Sequence, residues 1–223
     1  KKITANKRRN KIIMDMREAQ LLCSRLCHDL VGPVGAVNAG LELFEEMDGG
    51  EDALAMVGRS AKQMGSRLSF YRMAFGLGGA DTAVMGQARK LAGEFMIEGK
   101  VDLDWPADDV DQGLFPTNAC KLVLSMILIG IECLPRGGAL AVRVAVLPEG
   151  FGAAVTATGD RAEIKEGTQR AIVKDINFDD LNAHNIHGRW AALLAESLGS
   201  VIEISGEGAD TVNLAVVLPG PLD

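Results

Sequence analysis

Two long stretches in the first half of the chain carry apolar residues at every third or fourth position. The first series is Leu22, Leu26, Leu30, Val34, Val37, Leu41 and Phe44, and the second is Leu54, Val57, Ala61, Met64, Leu68, Tyr71 and Phe75. This period is typical of amphipathic helices. The sequence Asp-Gly-Gly at residues 48–50 separates the two series, and three glycines within residues 76–79 follow the second. The pattern therefore predicts an antiparallel helical hairpin over residues 15–79.

The predicted hairpin has more apolar surface than two helices can cover by themselves. Spacings of three and four alternate throughout the second series, as they do in a coiled-coil seam. We therefore expect a homodimer, in which two hairpins form a dimeric four-helix bundle. The alternative is that the second half of the same chain covers the hairpin.

The second half of the chain, residues 80–223, mixes strand-like and helix-like patterns. Strands are predicted at residues 101–105, 139–147, 151–158, 201–205 and 211–218, and helices at residues 82–97, 118–134 and 189–198. Paired strands with helices between them are typical of one sheet layer covered by one helix layer. The predicted fold class is therefore α+β, with a helical hairpin domain at 15–79 followed by an α/β sandwich domain at 80–223.

Composition and charge exclude several classes of function. The net charge of −7 argues against nucleic-acid binding. The most apolar stretch, residues 122–131, is shorter than the roughly 20 residues that cross a bilayer, so we predict no membrane span. The four cysteines form no CxxC pair and no secretory signal precedes them, which indicates a reducing, cytoplasmic setting. The mostly basic residues before Met14 predict a frayed tail, and Met14 is a candidate native start.

His28 is the candidate for chemistry on the first helix. At about 100° per residue it lies opposite the apolar stripe, so we expect its ring to face solvent. Asp29 follows directly, and a carboxylate can hold one imidazole nitrogen protonated and leave the other as a nucleophile. Gly32 and Gly35 leave the surface beyond His28 bare, and Pro33 predicts a kink. The alternative is a locally irregular helix without a special role.

Two other groups of side chains could bind a metal. Cys23, Cys27 and His28 lie close together on one helix, but we interpret the two cysteines as small buried hydrophobic residues beside the apolar stripe. His184 and His187 are three residues apart without a cysteine or a clear carboxylate nearby. We interpret this pair as part of a surface loop.

The residues around His28 resemble a known motif. Residues 27–34 read Cys-His-Asp-Leu-Val-Gly-Pro-Val, which is similar to the H-box of histidine kinases. Residues 22–29, 40–43 and 72–76 (Leu-Cys-Ser-Arg-Leu-Cys-His-Asp, Gly-Leu-Glu-Leu and Arg-Met-Ala-Phe-Gly) resemble more closely the ChpT-type histidine phosphotransferases of bacterial cell-cycle phosphorelays. The resemblance spans nearly the whole chain. It implies a dimeric hairpin followed by a domain resembling the ATPase domain of histidine kinases.

The nucleotide-binding residues of such an ATPase domain are missing here. Ile129 stands in place of the Asn that holds Mg²⁺ and Glu132 in place of a Lys, and isoleucine offers no oxygen to a cation. Ala157 replaces the Asp that recognises adenine, and Arg161 replaces a glycine of the same motif. In the stretch that corresponds to the phosphate-binding loop, only Gly188 matches, because bulky residues follow it where small residues would be needed. We therefore expect a degenerate ATPase-like domain and no cofactor or metal bound by this chain.

The resemblance also implies a function and the roles of single residues. His28 would accept a phosphoryl group from an aspartate of one receiver domain and pass it to an aspartate of another, while Asp29 orients and stabilises the imidazole. The implied receivers belong to a hybrid histidine kinase and to downstream response regulators, of the CckA and CtrA types, and they would supply Mg²⁺. The implied partner contacts are Arg25, Gly32, Pro33 and Gly35.

Two other functions stay open from the residues alone. An ATP-dependent sensor histidine kinase core would bind ATP tightly, which the three altered motifs argue against. A non-catalytic scaffold for receiver domains would hold its partners without using His28. Transfer measured on a His28→Ala variant separates the scaffold from the phosphotransferase.

Overall fold

The computed structural model describes residues 14–46, 50–77, 82–97, 99–107, 114–148, 150–206 and 210–220. Its helices are α1 (Met16–Glu46), α2 (Glu51–Phe75), α3 (Met85–Met96), α4 (Thr117–Glu132), α5 (Glu166–Ile172) and α6 (Ile186–Ser197), with a 3-10 helix at Phe178–Asp180. Its strands are β1 (Thr82–Val84), β2 (Val101–Asp104), β3 (Leu114–Pro116), β4 (Gly138–Leu147), β5 (Gly150–Thr158), β6 (Glu203–Ser205) and β7 (Thr211–Pro219). The residues before Met14, most of the predicted turn at 48–50 and the predicted domain boundary between residues 79 and 80 lie outside the described residues.

Helices α1 and α2 pack against each other, which confirms the predicted hairpin. Small residues let the two backbones approach closely. A Cβ atom on Gly40 would lie 2.7 Å from Cγ2 of Val57, and Ala53 and Ser60 on α2 are buried. Any side chain at position 40 would therefore push Val57 or the whole of α2 away.

The hairpin also has an outer edge, where apolar side chains are exposed. This edge consists of Val34, Leu41, Leu54 and Leu68, which are 42–52% exposed in the single chain. Cys23 lies about five helical turns before Leu41, and so on the same side of α1. Cys23 and Cys27 are both exposed, so the interpretation that they are small buried hydrophobic residues is wrong. The reason is that this side of the apolar stripe is left uncovered in the single chain.

Five strands of the second half form one sheet in the order β2-β4-β5-β7-β6. Strand β2 runs parallel to β4, and the other neighbouring pairs are antiparallel. Side chains along β5 and β7 alternate between buried and less buried positions, so one face of the sheet carries the core. Helix α4 packs against β4, β5 and β7. The α+β fold class predicted from the sequence is confirmed.

Helix α4 lies at the centre of the core and joins the sheet to the hairpin. Residues 119–130 of this helix are all buried, as its apolar sequence predicted. The end of α2 enters the same core, where Trp190 on α6 donates its indole N–H to the backbone oxygen of Ala74 at 3.2 Å. Lys121 on α4 donates to the backbone oxygen of Gly76 at 2.6 Å. The end of α2 is thereby attached to both α4 and α6.

Some short elements differ from the prediction. Residues 82–84 begin a stretch predicted to be helical, but they form β1, which pairs with β3. That pairing joins segments far apart along the chain, so local spacing could not reveal it. Helix α5 and the 3-10 helix are too short to give a clear period. Within the described ranges, no helix has the length and apolar character needed to cross a membrane.

Candidate functional site

His28 lies on the exposed side of α1 with its side chain 73% exposed. This confirms the prediction that its ring faces solvent. Its Nδ1 atom lies 3.3 Å from Oδ1 of Asp29. A carboxylate can only accept a hydrogen bond, so this contact requires the proton to be on Nδ1. In that tautomer Nε2 carries the free lone pair and is the nucleophilic atom.

Asp29 is held far more firmly than a surface carboxylate. Its side chain is only 13% exposed. Its Oδ2 atom accepts hydrogen bonds from Arg25 Nε at 2.8 Å and from the Tyr71 hydroxyl at 2.7 Å. These two donors come from α1 and α2 and occupy the same oxygen. The other oxygen, Oδ1, is left to face His28.

Electrostatics keep the Asp29 carboxyl ionised. Burial alone would raise its pKa, but the hydrogen bonds from Tyr71 and Arg25 and the charge of Arg25 outweigh burial and hold that pKa below its ordinary value. Burial and the hydrogen bond to Asp29 raise the pKa of Tyr71. At neutral pH the pair therefore consists of a carboxylate acceptor and a protonated hydroxyl donor.

Pro33 explains a further contact of Asp29. Proline has no N–H, so it cannot donate the helical hydrogen bond to the backbone oxygen of residue 29, four positions earlier. Arg67 on α2 donates Nη1–H to that oxygen at 3.2 Å instead. The guanidinium of Arg67 also lies 5.5 Å from the ring centre of Phe95. The proline of the motif thus opens α1 to a contact from α2 directly beside the histidine.

Arg25 connects Asp29 to the second half of the chain. Its side chain is 12% exposed, and Nη2 donates to Oε1 of Glu132, the last residue of α4. The other carboxylate oxygen of Glu132 lies 3.0 Å from Nε2 of His187 on α6. This is an ion-pair distance, although neither ring nitrogen of His187 has a hydrogen bond of acceptable geometry among the described residues.

His187 is the fully buried counterpart of His28. It was predicted to lie in a surface loop with His184, and this prediction is wrong because His187 begins the buried face of α6. His184 is exposed, as predicted, and its ring centre lies 6.0 Å from that of His28 in an edge-on arrangement. The structure therefore brings His184 towards His28 and separates it in environment from His187. Among the described residues, no cluster of three or more His, Cys, Asp or Glu side chains could hold a metal ion.

The predicted partner-contact residues have different environments. Gly32 and Gly35 are exposed, and a Cβ atom on either would meet nothing within 4 Å. Pro33 is buried, and Arg25 makes its contacts within the chain. The open surface beyond His28 is thus formed by the two glycines. Contact of these four residues with a partner stays a prediction.

Three of the positions that resemble kinase nucleotide motifs are buried or already in contact with other side chains. Ile129 and Ala157 are buried, and Glu132 is engaged by Arg25 and His187. A cleft beside Ile129 and Glu132 has a volume of only about 150 Å³ even when its space open to solvent is included, and it is lined by Ile129, Glu132, Cys133, Ile164, Lys165 and Thr168. Ligand pockets usually measure roughly 300–1,000 Å³. The cleft is therefore too small for a nucleotide.

Three residues of the site were not recognised from the sequence. Tyr71 was placed in the apolar series of α2, Arg67 was not singled out, and Glu132 was interpreted only as a lost nucleotide ligand. One signal was available for Tyr71: it is the single tyrosine of the chain and puts a polar group into an apolar seam. Arg67 lies one helical turn before it, on the same side of α2.

Known proteins resemble this chain along most of its length. The family described as the histidine phosphotransferase C-terminal domain matches residues 85–210. The protein phosphotransferase ChpT of Brucella abortus (strain 2308) is 37% identical over 194 residues, which cover 86% of this chain and 91% of that protein. A solved structure described as a bacterial phosphotransferase at 1.7 Å has a TM-score of 0.81 and 33% identity, covering 92% of this chain and 98% of its own.

Proposed function

This chain belongs to the family of ChpT-type histidine phosphotransferases, and from that premise we propose that His28 is the residue that carries the phosphoryl group. The family assigns the chain to phosphotransfer in a phosphorelay. The observation that supports His28 is its exposed ring beside a buried carboxylate whose other oxygen is already occupied by Arg25 and Tyr71. The donors and acceptors that we propose are aspartates of response-regulator receiver domains.

The proposed transfer is an in-line displacement at phosphorus. Nε2 of His28 attacks the aspartyl phosphate of a receiver, the N–P bond forms, and the acyl O–P bond breaks to release the receiver carboxylate. The Nδ1 proton stays on the ring, so the imidazole gains one positive charge and the receiver recovers its negative carboxylate. Asp29, with Oδ1 at 3.3 Å from Nδ1, stabilises the charge that develops on the ring. The reverse steps pass the group to a second receiver.

The receiver partner would supply the Mg²⁺ that neutralises the phosphoryl oxygens. In the described part of this chain, no cluster of carboxylates and imidazoles is placed to hold such an ion. The exposed glycines Gly32 and Gly35 give the partner open space next to His28. We propose that these two positions, rather than the buried Pro33, form the floor of the contact.

We also propose that the chain works without ATP and as a homodimer. The buried Ile129 and the cleft of about 150 Å³ beside Glu132 support the absence of nucleotide binding. The exposed apolar side chains of the outer edge support dimerisation, because a second hairpin would remove them from water. Calorimetry with ATP and Mg²⁺ should show no binding heat, and a micromolar dissociation constant would overturn the first of these proposals.

The test of the proposed function is label transfer from a panel of phosphorylated receiver domains. Wild-type protein should take up the label and the His28→Ala variant should take up none. The variant should unfold within about 0.5 kcal/mol of wild type, because an exposed side chain contributes little stability. His184→Ala is the matched control and should still accept label. Label on the His28→Ala variant, or binding of receivers without any transfer to wild type, would contradict the proposal.

A further inference from the structure

The contact between Arg25 and Glu132 lies directly behind the site. It joins α1 to the end of α4 across 107 positions of sequence, with the two side chains 12% and 18% exposed. Ion pairs this well buried lose much of their attraction to the cost of desolvation, so they are weak evidence of a purely stabilising role. The geometry around the pair indicates another use.

One arginine stands between two carboxylates, and each carboxylate faces an imidazole. Asp29 points Oδ2 at Arg25 and Oδ1 at His28. Glu132 points Oε1 at Arg25 and Oε2 at His187. The line of contacts therefore runs from the buried His187 on α6 to the exposed His28 on α1.

We infer that Glu132 is a positioning residue for phosphotransfer, acting on His28 through Arg25 and Asp29. This inference rests on the proposed function of His28. It gives the second half of the chain a part in the chemistry although its nucleotide motifs are lost. Glu132 stands where the resembling kinases have a lysine.

The argument depends on the shape of the guanidinium group. Arginine presents its N–H donors in a rigid planar fork that readily pairs with both oxygens of one carboxylate. Glu132 holds Nη2, so only Nε reaches Asp29, and it reaches Oδ2 alone. Without Glu132 the fork of Arg25 is free to turn and take both oxygens of Asp29. Oδ1 would then be drawn away from Nδ1 of His28.

Glu132 is itself held in place. Burial alone would raise its pKa, but the contacts with His187 and Arg25 outweigh burial and keep that pKa below its ordinary value. The ring of His187 is fully buried, so this end of the line has no freedom to move towards solvent. In this line of contacts, His187 is therefore fixed in the core, whereas His28 is accessible to a partner at the surface.

The direct test is the tautomer of His28 in the whole chain without any receiver domain. The chain has only three histidines, so two-bond ¹H–¹⁵N correlation spectra of histidine-labelled protein resolve each ring, with His28 assigned by its loss in His28→Ala. Wild type should show His28 with its proton on Nδ1. Glu132→Gln should move it towards the Nε2–H form that a free histidine side chain prefers.

Transfer from a phosphorylated receiver is the second readout. Glu132→Gln should slow it roughly 10-fold, the lower end of what partners that orient an imidazole contribute at metal sites. The matched control is Asp104→Asn, which removes a carboxylate charge from the exposed ion pair with Arg143, away from α1. The control should keep the wild-type tautomer and transfer rate.

A second variant keeps the inference testable if Glu132→Gln fails to fold. Arg25→Lys leaves the pair of Glu132 and His187 in place but replaces the fork with a single point charge. It removes the directed Nε–H donor that fixes Oδ2 of Asp29, so the carboxylate is free to turn Oδ1 away from Nδ1 of His28. The His28 tautomer should therefore change in the same direction as in Glu132→Gln, and the double variant should be no slower than the slower single variant. If both variants keep the His28 tautomer and the transfer rate of Asp104→Asn, the inference is overturned. If His28→Ala still accepts label, the proposed function fails instead.

Discussion

The two edges of the helical hairpin are built from the same two helices but differ in what they expose. The inner edge, formed by Arg25, Asp29, Arg67 and Tyr71, is polar, and its side chains contact one another and α4. The outer edge, formed by Val34, Leu41, Leu54 and Leu68, is apolar and exposed in the single chain. His28 stands in solvent next to the inner edge.

The difference between the two edges shows how one helical hairpin can carry a polar site on one side and an apolar surface on the other. Polar side chains are tolerated on the inner edge because each finds a partner, and together they hold Asp29 in one orientation. The side chains of the outer edge are apolar, and the described residues leave them exposed, so covering them with another apolar surface would be favourable. This difference supports the proposals that chemistry takes place at the inner edge and self-association at the outer edge.

The largest expected effect comes from placing a charge on the outer edge. Leu54→Glu should dissociate the proposed dimer, because each copy loses the burial of a leucine side chain, worth about 1.5–3 kcal/mol, and a dimer contains two copies. The dissociation constant should rise by at least about 100-fold, measured by light scattering over a concentration series.

Ala55→Glu is the matched control for that variant. It adds the same charge to the same helix at an exposed position next to Leu54 and should stay dimeric. A wild-type mass near 23.6 kDa at micromolar concentration would show that the outer edge does not associate at all.

The next largest effect is expected at the inner edge itself. Asp29→Asn keeps the shape of the side chain but removes the charge that, in the proposed mechanism, stabilises the imidazole as it becomes positive. Transfer from a phosphorylated receiver should slow by roughly 10- to 1000-fold, near the range of one assisting group. Rapid-quench kinetics measure the rate, and receiver binding should be unchanged. A wild-type rate would mean that Asp29 has no part in the reaction.

Tyr71→Phe tests one donor of the inner edge with little change in packing. It removes the hydroxyl that donates to Asp29 at 2.7 Å, a hydrogen bond to a charged group worth about 1.5–3 kcal/mol. Urea unfolding followed by Trp105 and Trp190 fluorescence should show a loss of this order. Transfer should fall less than in Asp29→Asn, because Arg25 still holds Oδ2. A larger fall in rate than in Asp29→Asn would contradict the assigned roles.

The smallest effect is a pH dependence of stability that comes from Asp29 on the inner edge and from Glu132 on α4 behind it. The pKa values of Asp29 and Glu132 are held below their ordinary values of 3.8 and 4.5 in the folded chain. Their stabilisation is therefore present above those ordinary values and is lost as the pH falls through the lower, folded values. The stability difference between wild type and Glu132→Gln should shrink as the pH falls from 6 towards 3. A stability difference that stays constant over this pH range would contradict the prediction.

Local features of the sequence predicted the hairpin, most of the sheet and the histidine with its carboxylate. The apolar period is carried by neighbouring turns of one helix, and His28 and Asp29 are adjacent, so no tertiary information was needed. The partners of Asp29 were not predictable in this way. Tyr71 lies 42 positions away and Glu132 meets Arg25 across 107, so these contacts depend on how α1 packs against α2 and α4.

The burial of single residues was the other feature that the sequence did not predict reliably. His187 and Cys23 were each assigned the wrong environment, because burial depends on what covers a position and not only on its place in a period. His187 is covered by the core around α6. Cys23 lies on a side of α1 that a single chain leaves open.

The most direct test of the central claim is to locate the phosphoryl group after transfer. Wild-type protein is incubated with a phosphorylated receiver, digested under neutral to alkaline conditions that preserve phosphohistidine, and its peptides are sequenced by mass spectrometry. The group should be found on His28 alone. Its presence on His184, whose exposed ring lies 6.0 Å from that of His28, or on any other residue in place of His28, would contradict the account.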